Sequence, residues 1–160
     1  MPVSTASGPD QRLVIALDEA VRAVMQQQQA LEQVKQRATA ILSAAGLAAA
    51  FMGGLAARDE EDVLGPAAFV ALGAFVALAL AVLWILQPRT FTFENSPKAL
   101  LGWVDDDYSL DAMRRHLATY LEDHYDTNQT KIDHMTRAFQ IASLLLVVEV
   151  VALLLDLWGR

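Results

Sequence analysis

With 160 residues, 54% of them hydrophobic, and a mean hydropathy of +0.31, the chain clumps its apolar residues into blocks instead of spreading them along amphipathic elements, which argues against an ordinary globular core and for a membrane protein with polar extensions. No cysteine is present, so disulfides, thiolate metal ligands and thiol nucleophiles are excluded together. The formal net charge of −7 argues against a nucleic-acid partner, which would call for a basic patch.

The class that fits is an all-α integral membrane protein with three transmembrane helices, two of them continued into the cytoplasm as long helices. The opening MPVSTASGPDQRLV has no basic stretch followed by an apolar one, and no cleaved signal peptide is expected. Residues 1–38 form the cytoplasmic arm. From Asp10 to Arg37 there is neither proline nor glycine, and Leu13, Leu17, Ala20, Val24, Gln27, Leu31, Val34, Ala38 and Ile41 alternate in steps of four and three. That is a heptad stripe, interrupted by Gln27, which predicts an amphipathic helix packing on its own chain or a coiled coil between subunits.

Residues 39–86 read as a transmembrane hairpin. Residues 39–57 (TAILSAAGLAAAFMGGLAA) and 63–86 (VLGPAAFVALGAFVALALAVLWIL) carry no charge, and each is long enough to cross a hydrocarbon core of about 30 Å. The acidic stretch 58–62 between them leaves room only for a tight turn. Gly46, Ala50 and Gly54 in the first span, and Gly73, Ala77 and Ala81 in the second, are spaced for close helix packing.

Residues 87–137 form a cytoplasmic connector and helix. Pro88 ends the second span, Thr90 to Phe93 alternates as an extended segment would, and Asn95-Ser-Pro97 reads as a turn. Leu100, Leu101, Trp103 and Val104 suggest a short helix at the membrane surface. Asp105-Asp-Asp107 lacks the later ligands and glycine of a calcium loop and reads as a solvated turn. Ser109 is a candidate N-cap for a helix that meets no breaker before the last span, 138–158. Trp84 and Trp158 lie near span ends, where indole rings favour the interface.

Orientation follows from the basic residues. Ten of the twelve fall in the arm and the connector, against Arg58 in the hairpin and Arg160 at the end. The positive-inside bias puts the N-terminus in the cytoplasm and the C-terminus outside.

Chemistry is sparse. His116, Tyr120 and His124 share one helical stripe, but the zinc-enzyme pattern of two histidines with a glutamate between them is missing. No nucleophile elbow or glycine-rich phosphate loop is present, so neither an enzyme nor a metal or cofactor is expected. Arg114 and Arg115, with Arg89, Lys98 and Lys131, suggest either an anion site near Trp103 and Tyr108 or ordinary contact with anionic headgroups. The sharpest feature is Glu149 inside the last span. It shares a face with Ala142, Leu146, Leu153 and Asp156, and a carboxylate at that depth costs about 2.5–3.5 kcal/mol. No basic residue lies at similar depth. The acid therefore lines a water path or an oligomer seam, or is kept neutral by a neighbouring helix.

The layout of arm, hairpin, proline exit, cytoplasmic helix and last span resembles that of the small membrane effectors of Pycsar antiphage systems. The junction Lys35-Gln-Arg37-Ala38-Thr-Ala-Ile41-Leu42 is similar to that family's acid-x-Lys-Ala lead into the first span, with Lys35 in the acid's place and Arg37 in the lysine's. Asn128-Gln-Thr-Lys131-Ile132, ahead of Arg137, looks like its asparagine-and-basic segment, and Pro88 like its proline. The resemblance implies a homo-oligomer in the cell inner membrane that senses cyclic UMP or cyclic CMP, made by a partner nucleotidyl cyclase, and then impairs membrane integrity. It also implies that Arg114, Arg115, Asn128 and Lys131 bind the nucleotide. A non-enzymatic membrane scaffold or plasmid-transfer accessory protein is the alternative.

Overall fold

The computed structural model describes residues 10–56, 65–89, 91 and 97–159. Its elements are α1 (Gln11–Ala56), α2 (Pro66–Leu86), α3 (Pro97–Asp105) and α4 (Leu110–Gly159), and no strand occurs among the described residues. The hairpin turn 58–62, the extended residues around Thr90 to Phe93 except Phe91, and the turn residues Asn95 and Ser96 lie outside them.

Each helix starts and stops for a local reason. Asp10 caps α1, its Oδ1 accepting from the Arg12 backbone N–H at 3.0 Å. Pro66 opens α2 at a position where its missing N–H costs nothing. The Gln87 N–H closes α2 on the Leu83 carbonyl at 3.0 Å before Pro88 ends it. Arg89 covers that end, its guanidinium 3.9 Å from the Trp84 ring centroid and donating to the Trp84 carbonyl at 3.4 Å. α4 has no proline, and no glycine before Gly159, so nothing breaks its 50 residues.

The chain divides into two units. One takes α1 through Ala30 with α3 and α4 through Ile132; the other takes α1 from Leu31, α2, and α4 from Asp133. In the first unit α1 and α4 run parallel. Leu13 lies by Ser109 to His116, Ala16 to Ala23 by Ala118 to Tyr125, and Gln27 by Tyr125 and Gln129. Val24, Leu121 and Ile132 are buried in it along with Gln27 and Asn128.

In the second unit the buried residues are Leu31, Ala38 and Ala45 of α1, then Ala71, Ala74, Leu78, Val82 and Ile85 of α2. From α4 come Met135, Ala142, Glu149, Ala152 and Asp156. Gly65, at the start of α2, lies against Asp156 near the end of α4, so these two helices run antiparallel.

The buried positions keep a strict count. In α4, Leu121, Asn128, Met135, Ala142, Glu149 and Asp156 are seven apart throughout, and in α1 so are Val24, Leu31, Ala38 and Ala45. A period of 3.5 residues is the coiled-coil repeat. Close helix packing falls on alanines of this repeat and of α2. At Gly46, Gly54 and Gly73 an added Cβ would meet nothing within 4 Å, and Ala50 is exposed, so among the described residues of a single chain no close contact forms there.

Two helices, α2 and α4, are long and apolar enough to cross a membrane. The core helix of a soluble domain would be mostly covered. Here only 28% of the apolar stretch of α2 and 17% of that in α4 is buried, which leaves Phe69, Leu72, Leu80, Ile141, Leu144 and Leu154 bare on the outer faces.

Candidate functional site

At the polar end of α4, α3 stops in a helix-ending turn. The Tyr108 N–H reaches the Trp103 carbonyl at 3.0 Å and the Asp107 N–H reaches Val104 at 3.1 Å, the paired bonds of a Schellman motif. Asp107 takes the left-handed position with φ 57°, which aspartate tolerates better than most residues. The triple aspartate is thus a helix stop. Among the described residues no three histidine or acidic side chains gather as a metal site.

This turn feeds straight into α4. Ser109 Oγ accepts from the Ala112 N–H at 3.2 Å and caps the helix, and Asp111 suits its positive end. The fold then seats His116 between two rings, with centroids 5.5 Å from Trp103 and 5.6 Å from Tyr108. Arg115 is exposed beside it, in a shallow hollow shared with Leu13, Ser109, Asp111 and Ala112. Arg114 is half-buried and tied to Asp111 at 3.1 Å. The exposed guanidinium of Arg115 suits an anionic ligand.

The four residues expected to share a nucleotide do not gather in one chain. Arg115 and Asn128 are thirteen residues apart on one helix, about 20 Å along its axis. Asn128 is 2% exposed, on the buried heptad line. Lys131 lies over the Phe91 ring, 5.4 Å from its centroid. Gln27, which sequence reading treats as a gap in the stripe, is a working member of it. Its Nε2 donates to the Tyr125 carbonyl at 2.9 Å and to Gln129 Oε1 at 3.2 Å.

Glu149 and Asp156 share a face of α4, and both are buried, at 1% and 7% exposure. Their surroundings differ. Asp156 Oδ1 sits 2.7 Å from where a Cβ on Gly65 would stand, hence against the first turn of α2, whose positive dipole end favours a carboxylate. Glu149 has neither oxygen hydrogen-bonded. A single chain covers it, so no second subunit is needed to take it out of water. His116 and its rings were visible in the sequence only as separate candidates, because their meeting depends on α3 folding back onto α4. No family model, curated protein or solved structure matches the chain, so the residues themselves carry the argument for function.

Proposed function

We propose that the chain is a ligand-gated effector of the cell inner membrane, crossing it three times at 39–57, 63–86 and 138–158 with its N-terminus in the cytoplasm. On this reading, which follows the Pycsar resemblance, a cyclic pyrimidine nucleotide from a partner cyclase binds the cytoplasmic end of the long helices. Subunits of a homo-oligomer then rearrange and the membrane leaks. The observation that carries the reading is the unbroken run of α4 from Leu110 to Gly159, one continuous helix that includes both His116 of the ring cluster and the buried Glu149. Of the nucleotide residues the sequence suggested, Arg115 is the most accessible, in a hollow shared with His116, whose ring neighbours Trp103 and Tyr108 are candidate stacking faces; Arg114, Asn128 and Lys131 have partners or burial to give up first.

The energetics are feasible. Reversing a two-state balance from 1:99 to 99:1 takes a differential affinity of about 5.5 kcal/mol. One stacked base supplies about 1–3 kcal/mol, and a hydrogen bond to a charged group about 1.5–3 kcal/mol. One site per chain therefore comes close, and several sites per oligomer exceed it. The ligand must bind the open state better than the closed one. Opening would bring Glu149 and Asp156 from a covered face to a wet one and give the pore its polar lining.

The test uses purified protein in dye-filled vesicles. Cyclic UMP or cyclic CMP should release dye, and Arg115→Ala should abolish release with helix content unchanged. No leak and no heat of binding with either nucleotide overturns the reading. The scaffold alternative is favoured by one observation, the complete cover of Glu149 within a single chain. It predicts that Glu149→Gln leaves partner recruitment intact, whereas in an effector the same change alters leak.

A further inference from the structure

The second unit buries a carboxyl group that its described residues do not answer. Both oxygens of Glu149 are out of contact with solvent and without a hydrogen-bond partner, midway along an apolar run. Among the described residues, the helices that share this unit place no counter-charge near it along the chain. In α1 the titratable residues of this unit are Glu32, Lys35 and Arg37, and none occurs from Ala38 to Ala56; α2 has none at all. Glu32 and Lys35 pair with each other at 3.5 Å. On α4 the neighbours are Asp133, His134 and Arg137 on one side, with Arg137 twelve residues away, and Asp156 seven residues away on the other. At 1.5 Å per residue, Arg137 lies about 18 Å along the axis and Asp156 about 10 Å.

Burying an ionised carboxylate without donor or cation is far costlier than burying the neutral acid. We infer that Glu149 is a proton-binding site within the spans: the closed unit holds it as the carboxylic acid, and parting of the helices, by admitting water, releases the proton. Proton release and helix separation are then one event, and the ligand is a proton exchanged with whichever aqueous side the opened unit meets. The inference rests on the apolar half of α4 lying in lipid, and the experiment separates that assumption from the site itself.

Protein in lipid vesicles is treated with dicyclohexylcarbodiimide, a lipid-soluble reagent that attacks protonated carboxyl groups, and the adduct is mapped by mass spectrometry. A Leu154→Cys variant reports insertion, since a cysteine on the outer face of an inserted α4 is shielded from a water-soluble maleimide. With insertion confirmed, one adduct should form at Glu149, about tenfold more slowly for each pH unit over the range in which the carboxyl ionises. It should be absent in Glu149→Gln at unchanged helix content. A water-soluble carbodiimide should leave Glu149 unmodified. Insertion without an adduct at Glu149, an adduct on Asp156 instead, or equal reaction with the water-soluble reagent overturns the site. Maleimide labelling of the Leu154→Cys variant overturns the lipid reading on which it rests.

Discussion

Asp107 shows how a single residue shapes the polar end of α4. It holds φ 57° at the position after α3 where glycine is usual, and a side chain there costs about 1 kcal/mol relative to glycine. Asp107→Gly should therefore raise stability by about 0.5–1 kcal/mol, read as a higher Tm in detergent, while Asp107→Ala should lower it. The sequence made the turn legible through its three aspartates, but not the seat it builds for His116. That seat needs Trp103 and Tyr108 brought onto α4, which no local pattern encodes. In the second unit, Gly65 leaves room for Asp156. A methyl group there would stand 2.7 Å from Oδ1 and force the carboxylate aside, at a cost of about 1–2 kcal/mol. If this contact is the cause, the penalty of Gly65→Ala should largely vanish in an Asp156→Ala background, as a double-mutant cycle would measure.

At the scale of elements, the seven-residue line explains both what sequence reading could find and what it could not. Val24, Leu31 and Ala38 stand out because the arm around them is polar, so the 3.5 period has contrast. Asn128 falls on the same kind of line in α4, between Leu121 and Met135, yet it sits in a polar stretch and resembles a surface ligand-binding residue. Gln27 is disguised likewise. Both are buried polar groups of the kind that fix register in parallel helix pairs at some expense of stability. Gln27→Leu removes an amide whose Oε1 is buried without a partner and leaves Gln129, half-buried, able to turn to water. The change should therefore be neutral or stabilising by about 1 kcal/mol. The loss should appear in specificity. Cysteine pairs placed along α1 and α4, in a chain with no cysteine of its own, should crosslink in one register in the parent and in several in the variant.

For the whole molecule the decisive quantity is the balance of insertion. Phe139, Ile141, Leu144, Leu145, Leu146, Val147, Val148, Val150, Val151, Leu153, Leu154, Leu155 and Leu157 each favour the bilayer by about 0.3–0.6 kcal/mol, together about 4–8 kcal/mol. Glu149 costs about 2.5–3.5 kcal/mol near the centre, and Asp156 less because it lies toward the helix end. The last span is therefore able to insert with its acid in place. The stretch before Ala57 carries more glycine and alanine and fewer large side chains, so of the three proposed crossings that of α1 would be the most weakly driven. Three single cysteines decide it. If α1, α2 and α4 all cross, cysteines at Gln11 and Gln87 react with an impermeant maleimide from one face of the membrane and a cysteine at Trp158 from the other. If only α2 and α4 cross, Gln11 and Trp158 share a face and Gln87 lies opposite. The charge distribution favours the first pattern, since ten of twelve basic residues would then lie on the side of Gln11 and Gln87. Labelling of Gln11 and Trp158 from the same face would remove the first span, and with it the hairpin on which the effector layout depends.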